Sequence, residues 1–300
     1  MQEPIPLITL QLAIDDYLAT RDLKRSTVVG YRKSLNRCLK DWLEIPINAI
    51  TPTMIDNRHR ELSTSGIRGP GRANANLVMR VLKAVINHGH HKFGDGRPYI
   101  NPVARLAWNR VPRRQGMILP EEMPDWFAAV LACENGTLRD YLLLLLFTGL
   151  RRSEASNLKW GDIDFQKQTL TVRETKNRET LVLPLTAVTR EILERRFINA
   201  NEENPYVFHG KFLNTKIDRC ERSFEKLQQR FGRPFIFHDL RRTFITTGES
   251  LDMAPYTLKQ LVNHRGGNDV TFGYVISSPA RLRAPLEEIN IAILKQAGLG

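Results

Sequence analysis

The chain has 300 residues, 42% of them hydrophobic, enough for two ordinary buried cores, while its longest apolar run, residues 141–147, falls well short of the roughly 20 residues that span a bilayer. Its three cysteines, Cys38, Cys133 and Cys220, are odd in number and far apart, and no secretory pattern opens the chain, so neither a disulfide framework nor a zinc site is expected and a reducing cytoplasm fits. The net charge of +12 is uneven: residues 1–115 carry 19 Lys+Arg against 9 Asp+Glu, and residues 116–300 carry 25 against 23.

A basic excess of this kind suits a long polyanion, since neutralising phosphates releases condensed counterions. Charge alone equally describes a solvated basic surface.

Apolar residues at helical spacing predict a first helix over residues 10–18, and Ser26-Thr27 is read as the cap of a second that runs through Tyr31, Leu35 and Leu39. Thr51-Pro52-Thr53 opens a third, with proline at the first helical position. The fourth spans about residues 73–91, with Leu77, Val81, Leu82, Val85 and Ile86 turned inward. It ends in His88-Gly89-His90-His91, a cluster at the end of an amphipathic helix that is not read as a metal site. Residues 93–120 hold Pro98, Pro102, Pro112 and Pro120 and the basic run of Arg110, Arg113 and Arg114. They are read as a linker whose basic end tracks a phosphate backbone.

Beyond Pro120 the pattern is mixed. Helices are expected near 121–132 and 138–147, and the Gly149 turn then delivers Arg151. Residues 163–165, 169–172 and 180–183 are short, β-branched and separated by polar turns, which predicts a small antiparallel sheet. Further helices are expected near 187–199, 215–230, 239–250, 255–263, 269–275 and 285–297. The fold class is therefore mainly α with a small antiparallel β-sheet, in two domains, 8–110 helical and 115–300 α+β.

Two short motifs carry arginines in informative places: Thr148-Gly149-Leu150-Arg151-Arg152-Ser153-Glu154 and His238-Asp239-Leu240-Arg241-Arg242-Thr243. Arg151 follows an apolar helix and a glycine turn, where a surface charge gains nothing special, and Glu154 is spaced to orient it. Arg241 shares a helical face with His238 at i, i+3. Arginine presents a planar, permanently charged fork that matches phosphate oxygens. No GxxxxGK[ST] loop and no acidic cluster for two metals is present, so neither a nucleotide nor a metal cofactor is expected.

Together with Lys176 in Glu174-Thr175-Lys176-Asn177-Arg178, His264 in Leu261-Val262-Asn263-His264, and Tyr274 ten residues later, these motifs resemble the tyrosine recombinases, or phage-type integrases. The resemblance covers most of the chain. It implies a core-binding (SAM-like) DNA-binding domain at 8–110 and a catalytic domain at 115–300 that clamp a duplex and cut and rejoin DNA through a 3′-phosphotyrosine. Tyr274 would be the nucleophile, Arg151 and Arg241 the phosphate clamps, and Lys176 the general acid, with Arg178 a rival in the same turn. His238 and His264 would hydrogen-bond the phosphate. The family usually has glycine before this histidine and a gap of nine to the tyrosine, whereas here Asn263 and a gap of ten stand.

The partners implied are double-stranded DNA and further copies of the chain, as a homotetramer on two sites, in the cytoplasm at the nucleoid. About seven residues precede the first helix, so the arm-binding domain that many integrases carry is expected to be absent from this chain. The terminal helix, with Leu286, Ile289 and Ile293 in one stripe, is expected to dock on a neighbouring subunit. A type IB topoisomerase-like enzyme and a DNA-binding relative without activity are the alternatives.

Overall fold

The computed structural model describes residues 8–65, 71–94, 99–112, 114–173, 180–200, 203–218, 220–264 and 278–300. The chain divides into two compact units, Met1–Arg113 and Arg114–Gly300.

In the first unit, α1 (Leu10–Thr20) starts at Thr9, whose hydroxyl accepts the Leu12 N–H at 3.3 Å. Helix α2 (Arg25–Cys38) begins earlier than its expected Ser26-Thr27 cap: Lys24 is the cap residue, and its side chain does not cap the helix. Thr51 caps α3 (Pro52–Thr64) through the Met54 N–H, and Pro52 occupies the first turn as expected. The long α4 (Arg72–Phe93) packs against the other three. Its core face is Val78, Met79, Val81, Leu82, Val85 and Ile86, whereas Leu77, expected inward, lies on the open side. Gly89 lets α4 approach its neighbours, because a Cβ there would meet Ile47 Cδ1 at 2.8 Å.

Two parts of this unit owe their arrangement to tertiary contacts. His88 has an acid close in space: Asp16 of α1 accepts from His88 Nε2 at 2.7 Å and from Lys92 Nζ at 2.6 Å. Residues 99–109, read as linker, are built into the unit. Val103 and Leu106 join its core, and Asn109 exchanges hydrogen bonds with Asn76 while its amide donates to Ser63 Oγ at 2.7 Å.

The second unit is built around α6 (Gly136–Thr148), buried on nearly every side. Around it pack α5 (Met123–Leu131), α8 (Ala187–Ile198), α10 (Phe237–Ser250) and α12 (Pro279–Gln296). The short α7 (Arg152–Ser156), not foreseen from sequence, follows α6 directly. Strands β1 (Ile163–Asp164), β2 (Thr169–Val172) and β3 (Leu181–Pro184) form an antiparallel sheet in that order, with Leu170 opposite Leu183. Helix α9 (Glu221–Phe231) starts six residues later than expected, and α11 (Pro255–Leu261) completes the set. The expected helix at 269–275 lies outside the described residues.

The terminal helix corrects an expectation. It opens at Pro279, capped by Ser278, with Pro285 inside it, and buries Leu282, Leu286, Ile289 and Ile293 in its own unit. Asn290 donates to Thr186 Oγ1 at 2.7 Å and Arg283 to the Leu185 carbonyl at 2.8 Å. The stripe of Leu286, Ile289 and Ile293 is thus covered within its own unit. None of the described helices is long and apolar enough to cross a membrane.

Candidate active site

Helix α6 ends on Gly149, whose φ of 62° is the left-handed cap that glycine accepts readily. A Cβ there would also meet Phe244 Cδ1 at 2.5 Å, so glycine is required for space as well as conformation. The turn sets Arg151 at the start of α7. Glu154, 1% exposed, holds it twice, accepting the Arg151 backbone N–H at 2.8 Å and its Nη1 at 2.7 Å. Both carboxylate oxygens of Glu154 are thus engaged by Arg151.

Arg241 approaches the same place from α10. It is 4% exposed, and its two terminal nitrogens donate to the Gly149 carbonyl at 2.7 Å and the Val262 carbonyl at 2.6 Å. Arg151 Nη2 reaches the next carbonyl, that of Asn263, at 3.4 Å. The two guanidiniums thereby tie the turn after α6 to the end of α11. Burial, and then the neighbouring charge of Arg151, lower the Arg241 pKa to about 10. Arg241 nevertheless stays cationic at neutral pH. Glu154 is the carboxylate that offsets both arginines, so the pair carries net positive charge in a poorly solvated place.

His238 stands one helical turn before Arg241 and is exposed, with its ring only partly desolvated. Burial first, then Arg242 and Arg241, push its imidazole below the ordinary 6.5 against the opposing pull of Asp239. The site therefore favours the neutral imidazole over the charged one. His264 is exposed, just past α11, with its backbone N–H on the Lys259 carbonyl at 2.9 Å. Between them Asn263 has φ 45°, a left-handed conformation. This accounts for asparagine where glycine is usual, because asparagine is the side chain that best tolerates that region.

The structure thus brings Arg151, Glu154, His238 and Arg241 together, with His264 beside the carbonyls that anchor the arginines. Lys176 and its rival Arg178 sit in the connection between β2 and β3, outside the described residues, as do Tyr274 and Arg113. Arg110 and Arg114 are exposed. One residue that sequence reasoning passed over is Asp239, 1% exposed in the first turn of α10. Its signal was an acid three residues before Arg242 at a helix start.

The sequence profile of the phage integrase family matches residues 118–279. Tyrosine recombinase XerA of Pyrococcus horikoshii is 31% identical over 72% of this chain and 73% of its own length. Prophage integrase IntF of Escherichia coli K12 is 28% identical over 87% of this chain, which spans only 57% of that protein. Among solved structures, a lambda integrase tetramer bound to a Holliday junction superposes with a TM-score of 0.70 at 19% identity, over 87% of this chain and 79% of that one. At that identity the likeness speaks for the fold. The family match over more than half of the chain and the XerA relationship establish that the chain belongs to the phage integrase family, the tyrosine recombinases.

Proposed function

We propose that the chain is a site-specific DNA recombinase that cuts and rejoins duplex DNA through a 3′-phosphotyrosine, in the integration or excision of a phage or mobile element. The observation that carries this reading is a neighbouring pair of arginines, the part-buried Arg151 held by the buried carboxylate of Glu154 and the buried Arg241 held by two backbone carbonyls. Net cationic charge in a desolvated pocket favours an anion, and most of all one whose charge grows during reaction.

In the proposed mechanism, Tyr274 Oη gives up its phenolic proton to a neutral imidazole of the site and attacks the scissile phosphorus as the bond to the 5′ oxygen breaks. Arg151 and Arg241 bear the non-bridging oxygens, through the guanidinium N–H groups not committed to Glu154 and the carbonyls of Gly149, Val262 and Asn263. His238 and His264 hydrogen-bond the same phosphate, and Lys176 delivers a proton to the departing 5′ oxygen. The phosphotyrosine keeps the energy of the broken bond, so religation requires no nucleotide. Residues 8–110 would act as the core-binding domain and 115–300 as the catalytic domain, with Arg110, Arg113 and Arg114 on the backbone. The lambda integrase likeness, a tetramer on a Holliday junction, supports a homotetramer on two sites, and DNA as partner implies a place in the cytoplasm at the nucleoid.

The test is covalent capture. Nicked duplexes enriched by the protein from a randomised pool should form an SDS-resistant adduct in excess EDTA without ATP. Tyr274→Phe should bind the same duplexes and form none. An adduct with the Phe variant would mean a different nucleophile, and a strict need for Mg²⁺ would mean a hydrolytic nuclease. Accumulation of relaxed circles without joined products from two marked duplexes would favour the topoisomerase-like alternative.

A further inference from the structure

Asp239 sits between His238 and Arg241, and its carboxylate faces a second stretch of chain. Oδ2 accepts the Ile236 N–H at 2.9 Å, and Oδ1 accepts from Arg242 Nη1 at 3.1 Å. Residues 116–118 lie against it. Arg242 Nη1 also donates to the Gly116 carbonyl at 3.2 Å, Arg233 Nη2 to the Met117 carbonyl at 2.7 Å, and the Ile118 N–H donates to Thr243 Oγ1 at 2.9 Å. Each of three consecutive residues is held by a side chain from 233–243. Arg233 is itself braced by Glu122. A Cβ at Gly116 would stand 3.0 Å from both Asp239 oxygens, closer than ordinary contact.

We propose that Asp239, seated against Gly116, is a positioning residue that fixes the first turn of α10 and thereby aims His238 and Arg241 at the reacting phosphate. The proposal rests on the catalytic reading of those two residues given above. The first backbone N–H groups of a helix have no partner within it, so a carboxylate that caps them decides where the helix begins. Arg241 cannot take up an error in that placement, because two carbonyls already hold its fork. Displacing the carboxylate should therefore misalign the phosphate contacts while leaving the exposed basic surface intact. The expected signature is a slower chemical step at unchanged DNA affinity.

The experiment measures single-turnover adduct formation at saturating nicked duplex, enriched as above, with the full-length protein, and the dissociation constant alongside. Asp239→Ala and Gly116→Ala should each slow the step by about tenfold or more, with affinity within about threefold of wild type. Because the added methyl acts only through the carboxylate, the double variant should be no slower than Asp239→Ala alone. Arg241→Ala runs in parallel. If it reacts at the wild-type rate, the reading of the site fails and takes the proposal with it. If it is slow while Gly116→Ala and Asp239→Ala are not, or if those two effects simply multiply, the positioning role alone is overturned. Should Asp239→Ala fail to fold, Asp239→Asn, which removes the carboxylate at nearly unchanged shape, replaces it in the same cycle.

Discussion

Asn263, with its φ of 45°, offers its own carbonyl to Arg151 and follows Val262, whose carbonyl anchors Arg241, so its backbone preference bears on the site. Asn263→Gly should leave stability within about 0.5 kcal/mol, whereas Asn263→Val should cost about 1–2 kcal/mol, since a β-branched side chain crowds the carbonyl in the left-handed region. Urea denaturation of the two variants decides it, and equal stabilities would remove the conformational explanation. His238 makes a second prediction. Its pKa is lower folded than unfolded, so protonating it opposes folding, and stability should fall as pH drops from 6.5 toward the depressed value. His238→Gln should flatten that part of the pH–Tm curve, and an unchanged slope would exclude His238 as its source. At this scale Arg151, Glu154, His238 and Arg241 were legible because local motifs state their spacing. The burial of Arg241 on two carbonyls 92 and 21 residues away was not, since no local pattern encodes a partner that distant.

The terminal helix shows how far a pattern reaches at the scale of an element. The i, i+3, i+7 stripe said correctly that Leu286, Ile289 and Ile293 are buried, but periodicity does not say against what. The partner surface is supplied by β3, α10 and α11 of the same unit, and Gly248 of α10 is the residue that allows the approach, since a Cβ there would run into Leu258 and Ile289. Ile289→Ala should therefore cost about 2–5 kcal/mol of stability in the isolated protein. A loss below about 1 kcal/mol would mean that the stripe is not a core element in solution. Deleting residues 284–300 should likewise unfold the second unit rather than impair assembly alone. The boundaries of α2 and α9 were misplaced for a related reason: Lys24 and Cys220 open their helices without a side-chain cap, so no sequence signal marks either start.

Over the whole molecule, the sequence reading drew the linker too long, because prolines mark irregular backbone without saying whether it is packed. Residues 99–109 are irregular and yet part of the first unit, held by Val103, Leu106 and Asn109. That leaves a short basic stretch around the division at Arg113 and Arg114. The charge follows the same division, with the excess of basic residues in 1–115. If this excess meets a phosphate backbone, binding should weaken with salt as counterions return, each phosphate contact adding about 0.9 to the slope of log K against log salt. Arg110→Ala and Arg114→Ala should each reduce that slope by about 1, and should weaken binding to unrelated duplexes to the same degree, because a backbone contact carries no sequence information. Fluorescence anisotropy across a salt series on two unrelated duplexes makes the measurement. A slope unchanged in both variants would assign these arginines to the solvated surface, and a loss confined to one duplex would make them readers of bases instead.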